Sequence, residues 1–280
     1  ETLLGAAFRR HTYKHNVIGL LKDIEDMPNQ YQYSLQFFER YYRPEYTTIL
    51  VAGDVTRAEV RALVDRHWGK WQRGKYRPDV PVEPPQEEPR TAHIDWPSPT
   101  LPWVMVGHRA PAYSDQETEW AALDLLSGLA FAESSELFQR LVIREQKVDQ
   151  LSGGIETRVD PFLHTVSARI KNPADVKYVR DQILATLEKF TDKPVETADL
   201  DRVKSNARYR FALSLVDNYA IAAALADFIS LRRTPESLNR LYEMYERVTP
   251  EDVLRAARST FVAKSRTIVT LTGASKGAGQ

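Results

Sequence analysis

Tyr76 to Pro89, YRPDVPVEPPQEEP, packs five prolines and four carboxylates into fourteen residues with no hydrophobic period. Proline fixes φ and donates no backbone hydrogen, so neither a helix nor an inner strand runs through such a stretch. It reads as an extended linker over residues 76–89, and it divides the chain into two unequal parts.

In the shorter part, Asn29 to Tyr42 sets Tyr33, Phe37, Phe38 and Tyr41 at helical spacing, and Pro44 stops the helix. That spacing favours core packing of the aromatic cluster over a stacking surface. Thr47 to Val55, TTILVAGDV, is a β-branched and apolar run closed by Gly53 and Asp54, which predicts a buried strand. Thr56 caps a further helix carrying Val60, Leu63, Val64 and Trp68 on one face. One strand is too little sheet to stand alone, so residues 1–75 read as the rear of an α/β domain. The opening ETLLGAAFRR reads as the last turns of a helix, as in a piece processed or excised from a longer polypeptide.

The longer part, residues 90–280, gives paired strand signals followed by helices. Strands are predicted at Arg90 to Trp96 and Trp103 to His108, then near Gln150 to Thr157, at Leu163 to Ile170 and finally at Arg266 to Leu271. Helices are predicted at Ser114 to Ala130, Ser134 to Gln146, Ala174 to Phe190, Glu196 to Leu215, Asn218 to Leu231, Pro235 to Glu246 and Pro250 to Ser259. Adjacent strand pairs with helices after them predict an α+β domain, a mostly antiparallel sheet with helices packed on one face. The similar places of TTILVAGDV and RTIVTLTG hint at an internal duplication. The small-residue tail GASKGAGQ is predicted to be disordered.

Charge and composition exclude several functions. Lys plus Arg and Asp plus Glu number 38 each, so no net field favours a nucleic-acid backbone. With no cysteine there is no disulfide, thiolate metal site or cysteine nucleophile. The longest apolar stretch, Tyr219 to Leu231, carries Asp227 and falls short of the roughly 20 residues a bilayer span needs.

Catalytic constellations are equally scarce. A helical zinc protease site places a glutamate beside a histidine, in H-E-x-x-H or H-x-x-E-H order, so that one face supplies ligands and base. None of His11, His15, His67, His93, His108 and His164 has an acidic neighbour. His11 and His15 are four apart, but TYK between them looks like a loop, which favours a turn histidine and a surface histidine over metal ligands. His164 reads as a packed or solvent-facing strand residue. Glu117/Glu119 and Asp199/Asp201 sit at spacing two on helices, hence on different faces, as solvated charges. Glycine-rich nucleotide loops and the G-x-S-x-G elbow are absent, and Ser152-Gly153-Gly154 reads as a strand end.

Three segments in fixed order resemble the pitrilysin-like M16 zinc metallopeptidases. His11-Thr-Tyr-Lys-His-Asn-Val-Ile-Gly19 resembles their H-P-Y-G-x-x-V-I-G stretch, and Tyr41 to Val55 resembles Y-x-P-x-N-x-x-L-V-V-x-G-D-V. Glu136 to Lys147, ELFQRLVIREQK, is similar to the S-R-L-F-x-x-L-R-E helix of their second domain. The resemblance implies two related α+β domains of the LuxS/MPP-like kind that close around a chamber. Residues 1–75 would be the rear of the first, and 90–280 the complete second, non-zinc domain. Zinc and its base are then expected on an N-terminal half or partner subunit, with no metal ligand and no catalytic residue here. The chain alone is expected to be inactive, and its partners to be that zinc-binding half and an extended polypeptide substrate. The family's second domain often offers substrate an Arg and, seven residues later, a Tyr. The Arg falls on Arg144, whereas the Tyr position holds Leu151. That loss favours an alternative, an inactive structural subunit like the respiratory core proteins. An independent enzyme with its own site is the third reading. Exported bacterial members of the family imply a periplasmic home.

Overall fold

A computed structural model describes residues 1–274. Before the linker lie helices α1 (Thr2–Ala7), α2 (Leu21–Glu25), α3 (Tyr31–Tyr41) and α4 (Arg57–Trp68). After it come β1 (Arg90–Trp96), β2 (Trp103–Ala110), α5 (Thr118–Phe131), α6 (Glu136–Phe138), β3 (Val148–Ile155) and β4 (Phe162–Ile170). Then follow α7 (Val176–Asp192), α8 (Thr197–Ser214), α9 (Asn218–Arg232), α10 (Glu236–Arg247), α11 (Pro250–Thr260) and β5 (Arg266–Gly273). The predicted tail begins at the end of β5, and its residues 275–280 lie outside the described residues.

The strands form one sheet in the order β1-β5-β2-β4-β3. Only β1 and β5 are parallel; the other three pairings are antiparallel. Period-two alternation divides the residues of each strand between two faces. Val104, Val106, Val166, Ala168 and Ile170 point to one face, where they join Leu123, Leu126, Ile183, Val253 and Ala257 of α5, α7 and α11 in the main core. Each such aliphatic side chain, withdrawn from water, contributes about 1.5–3 kcal/mol. α5 is apolar around most of its circumference because it lies beneath other helices, touching α8, α10 and α11 as well as β3. α11 starts from a reciprocal cap, Thr249 with Asp252, followed by Pro250 at its first position.

The opposite face of the sheet is covered in part by α1. Leu3, Ala7 and Phe8 bury against Phe162, Leu163 and Val269, with Met105 and Ala92 beside them. Arg90 donates from Nη1 to the Ala6 and Ala7 carbonyls, satisfying acceptors that the end of α1 leaves free. The linker is extended yet anchored. Glu83 accepts the backbone N–H groups of Arg9, Arg10 and His11 at 2.8, 2.7 and 2.8 Å. Gln86 is buried and donates to the carbonyls of Glu88 and Arg266. Burial pushes the Glu83 carboxyl up, but the three N–H donors and nearby Arg109 outweigh it and hold the group below the usual range. Glu83→Gln is expected to lower stability by about 1–2 kcal/mol in urea denaturation at neutral pH. An unchanged midpoint would mean that the linker does not clamp α1.

Two sequence readings are corrected here. Thr47 to Val55 forms no strand, since the five strands all come from residues 90–273 and this run has no ladder partner among the described residues. Ile49, Val51 and Val55 are accordingly exposed. The helix at 31–41 is present, but its aromatic face is not packed. Tyr31, Tyr33, Phe37, Phe38 and Tyr42 stand in solvent, mostly half-exposed or more, because no element among the described residues covers them. Val17, Ile18, Leu21, Met27 and Leu63 extend the same uncovered apolar character.

Candidate functional site

A cleft of about 800 Å³ opens between the last turns of α5, strand β3 and helix α8. Two glycines set its walls. A methyl group on Gly153 would stand 2.2 Å from the Phe131 ring, so only glycine lets the strand lie against that ring. A methyl on Gly128 would meet Val203 at 2.8 Å, so α8 approaches α5 closely there. β3 is the last strand of the sheet, paired with β4 on one side only. Its other edge offers backbone donors and acceptors with no ladder partner among the described residues, and Leu151 to Gly154 form that wall of the cleft.

The floor is polar but chemically quiet. Tyr245 donates its hydroxyl to Asp124 Oδ2 at 2.5 Å. Burial dominates and pushes the Asp124 carboxyl up, against the opposing pull of the Tyr245 bond and Arg210. Ser127 donates to the Leu123 carbonyl at 2.7 Å, so its oxygen accepts from His164 Nε2 at 3.0 Å. That is the reverse of a nucleophilic pair, in which the imidazole takes the hydroxyl proton. His164 Nδ1 has no orienting carboxylate, and burial lowers the imidazole to about 4. A base that weak cannot activate Ser127 at neutral pH.

No three His, Asp or Glu side chains gather as a metal cage among the described residues. His11 and His15 do not fit zinc. Tyr13 N–H donates to His11 Nδ1 at 3.0 Å, leaving Nε2–H to face Asp160 at 3.3 Å, so both ring nitrogens are engaged. His15 is exposed on the far side of the same turn. Arg144 ends a π-helical turn, Gln139–Arg144, ahead of Gln146 at φ 52°. It is exposed, forms no ion pair with another described residue and does not line the cleft. Leu151, at the position where the family places its Tyr, does line it. The two positions are therefore not brought together in one pocket. Sequence reading also missed Asp124, Ser127 and Phe131 as cleft residues; the doubled glycine at 153–154 inside a strand was the available signal.

Residues 30–207 match the family described as Peptidase M16 inactive domain. The chain belongs to the M16 peptidase family. This M16 chain is 26% identical over 270 residues to the zinc protease PqqE of Helicobacter pylori, covering 95% of itself and 60% of that protein. An uncharacterized zinc protease of Mycobacterium leprae is 30% identical over 202 residues, or 67% of this chain and 42% of the relative. The M16 chain thus spans less than two thirds of either of these two proteins. A crystal structure of a protease from Helicobacter pylori superposes with a TM-score of 0.86 at 25% identity, over 97% of this chain and 65% of that one. A chain of Complex III2 from Candida albicans shares the fold at a TM-score of 0.80 and 15% identity, over 97% and 65% of the two chains. Among the described residues, no helix of this M16 chain is long and apolar enough to cross a membrane.

Proposed function

We propose that this chain is the non-catalytic C-terminal portion of an M16 zinc protease, in which residues 90–280 form a complete non-zinc domain. It closes a proteolytic chamber and binds extended polypeptide for a zinc site on an N-terminal half or partner subunit. The observation that carries this reading is the bare edge of β3 along the cleft. A polypeptide in extended conformation satisfies such an edge by adding a strand, and the Gly153-Gly154 pair keeps the approach clear. The large apolar side chains left in water on α2, α3 and α4 support the second half of the reading, since exposed apolar residues in such number call for a covering partner. Arg144 then reaches substrate from its exposed turn once the chamber is assembled.

The test uses a fluorescent, unstructured peptide of about fifteen residues, long enough for a strand with flanks. Binding is expected without hydrolysis when zinc is added. Asn206→Trp, on the exposed side of α8 across the cleft, is expected to weaken binding about tenfold by filling the groove. Arg144→Ala is expected to leave binding to this chain alone unchanged, because Arg144 lies outside the cleft. Cleavage that a chelator stops, or affinity indifferent to Asn206→Trp, would overturn the proposal. The alternative, a structural subunit that cleaves nothing and binds no substrate, is favoured by Leu151 in place of the family's tyrosine. It predicts no peptide affinity together with a stable hetero-oligomer.

A further inference from the structure

A second cleft, about 540 Å³, lies where the last turn of α3 meets residues 73–76, away from β3. Four cationic side chains line it, Arg40, Arg43, Arg73 and Lys75, against the single carboxylate of Glu39. Arg43 already holds that carboxylate at 3.2 Å and also donates to the Glu39 carbonyl. Arg40 and Arg43 have an ordinary explanation, because cations are favoured where a helix ends. Arg73 and Lys75 arrive from the other wall; Arg73 helps to hold the Glu45 carboxyl below its usual range, and Lys75 forms no ion pair among the described residues.

The two walls are fixed against each other, so the like charges do not simply swing apart. The Tyr76 carbonyl accepts from the Tyr46 hydroxyl at 2.7 Å, and the Tyr76 and Tyr41 hydroxyls share a hydrogen bond at 3.2 Å. Gly74 donates to Glu45 at 2.9 Å and lies so close to Arg43 that a methyl there would meet its Cγ at 3.1 Å. Arg40 is held over the Tyr76 ring at 5.4 Å to the centroid. Glu39 and Glu45 offset part of this charge, and the four cations lining the cleft still leave it with an excess of positive charge in a chain whose formal net charge is zero.

The geometry points to a binding site for a carboxylate-rich segment of polypeptide in this cleft, with Arg73 and Lys75 as its principal contacts. The Arg73 guanidinium can meet a carboxylate in paired hydrogen bonds, with the Lys75 ammonium on the same wall as a second positive charge. The site does not rest on the β3 groove, and its failure would leave the peptide reading above untouched.

The probe is a fluorescent hexaglutamate peptide titrated into the full chain, with a hexaglutamine peptide as control. Binding of the acidic peptide alone is expected, weakening steeply between about 50 and about 300 mM salt as screening sets in. Arg73→Glu combined with Lys75→Glu is expected to weaken it by about tenfold or more, and the Gln/Gln pair by less. Both pairs lie on exposed positions, and an unchanged far-ultraviolet circular dichroism spectrum checks that the fold survives. No binding, binding of both peptides alike, binding unaffected in the Glu/Glu variant, or displacement of the probe by inorganic phosphate at low millimolar concentration would overturn the assignment.

Discussion

Between about pH 7.5 and about pH 5 the folded chain is expected to lose about 4 kcal/mol of stability, through two buried histidines that the sheet brings together. His108 on β2 and His164 on β4 are direct cross-strand partners, almost wholly buried, each with the Phe261 ring against it edge-on. Burial lowers His108 to about 3, aided by His164 and Arg266, and burial lowers His164 to about 4. In the unfolded chain both return to about 6.5 and take up protons as the pH falls, whereas the folded chain does not. The stabilisation is therefore complete above about pH 7 and is lost progressively down toward about pH 3, about 2 kcal/mol for each imidazole by pH 5. Asp124, whose carboxyl is raised by burial, works in the opposite direction and blunts the slope near its lower end. Urea midpoints across this range measure the effect, and a double His108→Gln, His164→Gln variant should show a flatter profile from a lower starting stability. Equal midpoints at pH 7.5 and pH 5, or an undiminished slope in the double variant, would contradict the burial argument.

Gly153→Ala is the second large effect. The added methyl has to enter the space of the Phe131 ring, not the tip of a flexible chain, and Phe131 is itself packed in the main core. Forcing the ring off its rotamer or bending β3 away from α5 costs about 1–3 kcal/mol. Gly154→Ala, one residue on and facing open space, is the natural control and should cost little beyond strand propensity. Phe131→Leu in the same chain as Gly153→Ala should recover part of the loss, since the smaller side chain vacates the contested volume. A thermal melt distinguishes the cases, and equal shifts for Gly153→Ala and Gly154→Ala would show that the ring contact does not constrain the strand.

The helices and strands of residues 90–273 were readable because each carries its own evidence. Arg90 to Trp96 was placed to the residue, and α10 and α11 show their apolar stripes at helical spacing. Thr47 to Val55 has equally good strand composition and fails for lack of a neighbouring strand, which no local pattern records. The aromatic face of α3 misled in the same way: spacing reports that a face is apolar, not that anything covers it. The site was harder still. Ser127 and His164 meet across 37 residues of sequence, and the two histidines face each other only because of the β2–β4 register. Arg144 stood out through resemblance alone, for an exposed arginine at a helix end carries no signature of its own.

The position of β5 has a consequence for how this protein is made. The C-terminal strand is not at the rim of the sheet but between β1 and β2. While the polypeptide is still emerging from the ribosome, β1 has no neighbour and β2 shows a vacant flank, and both wait until β5, which follows α5 to α11 in sequence, has been synthesised. Newborn chains therefore carry two sticky borders for as long as β5 is missing, the condition under which holdase chaperones find work and products truncated before β5 clump.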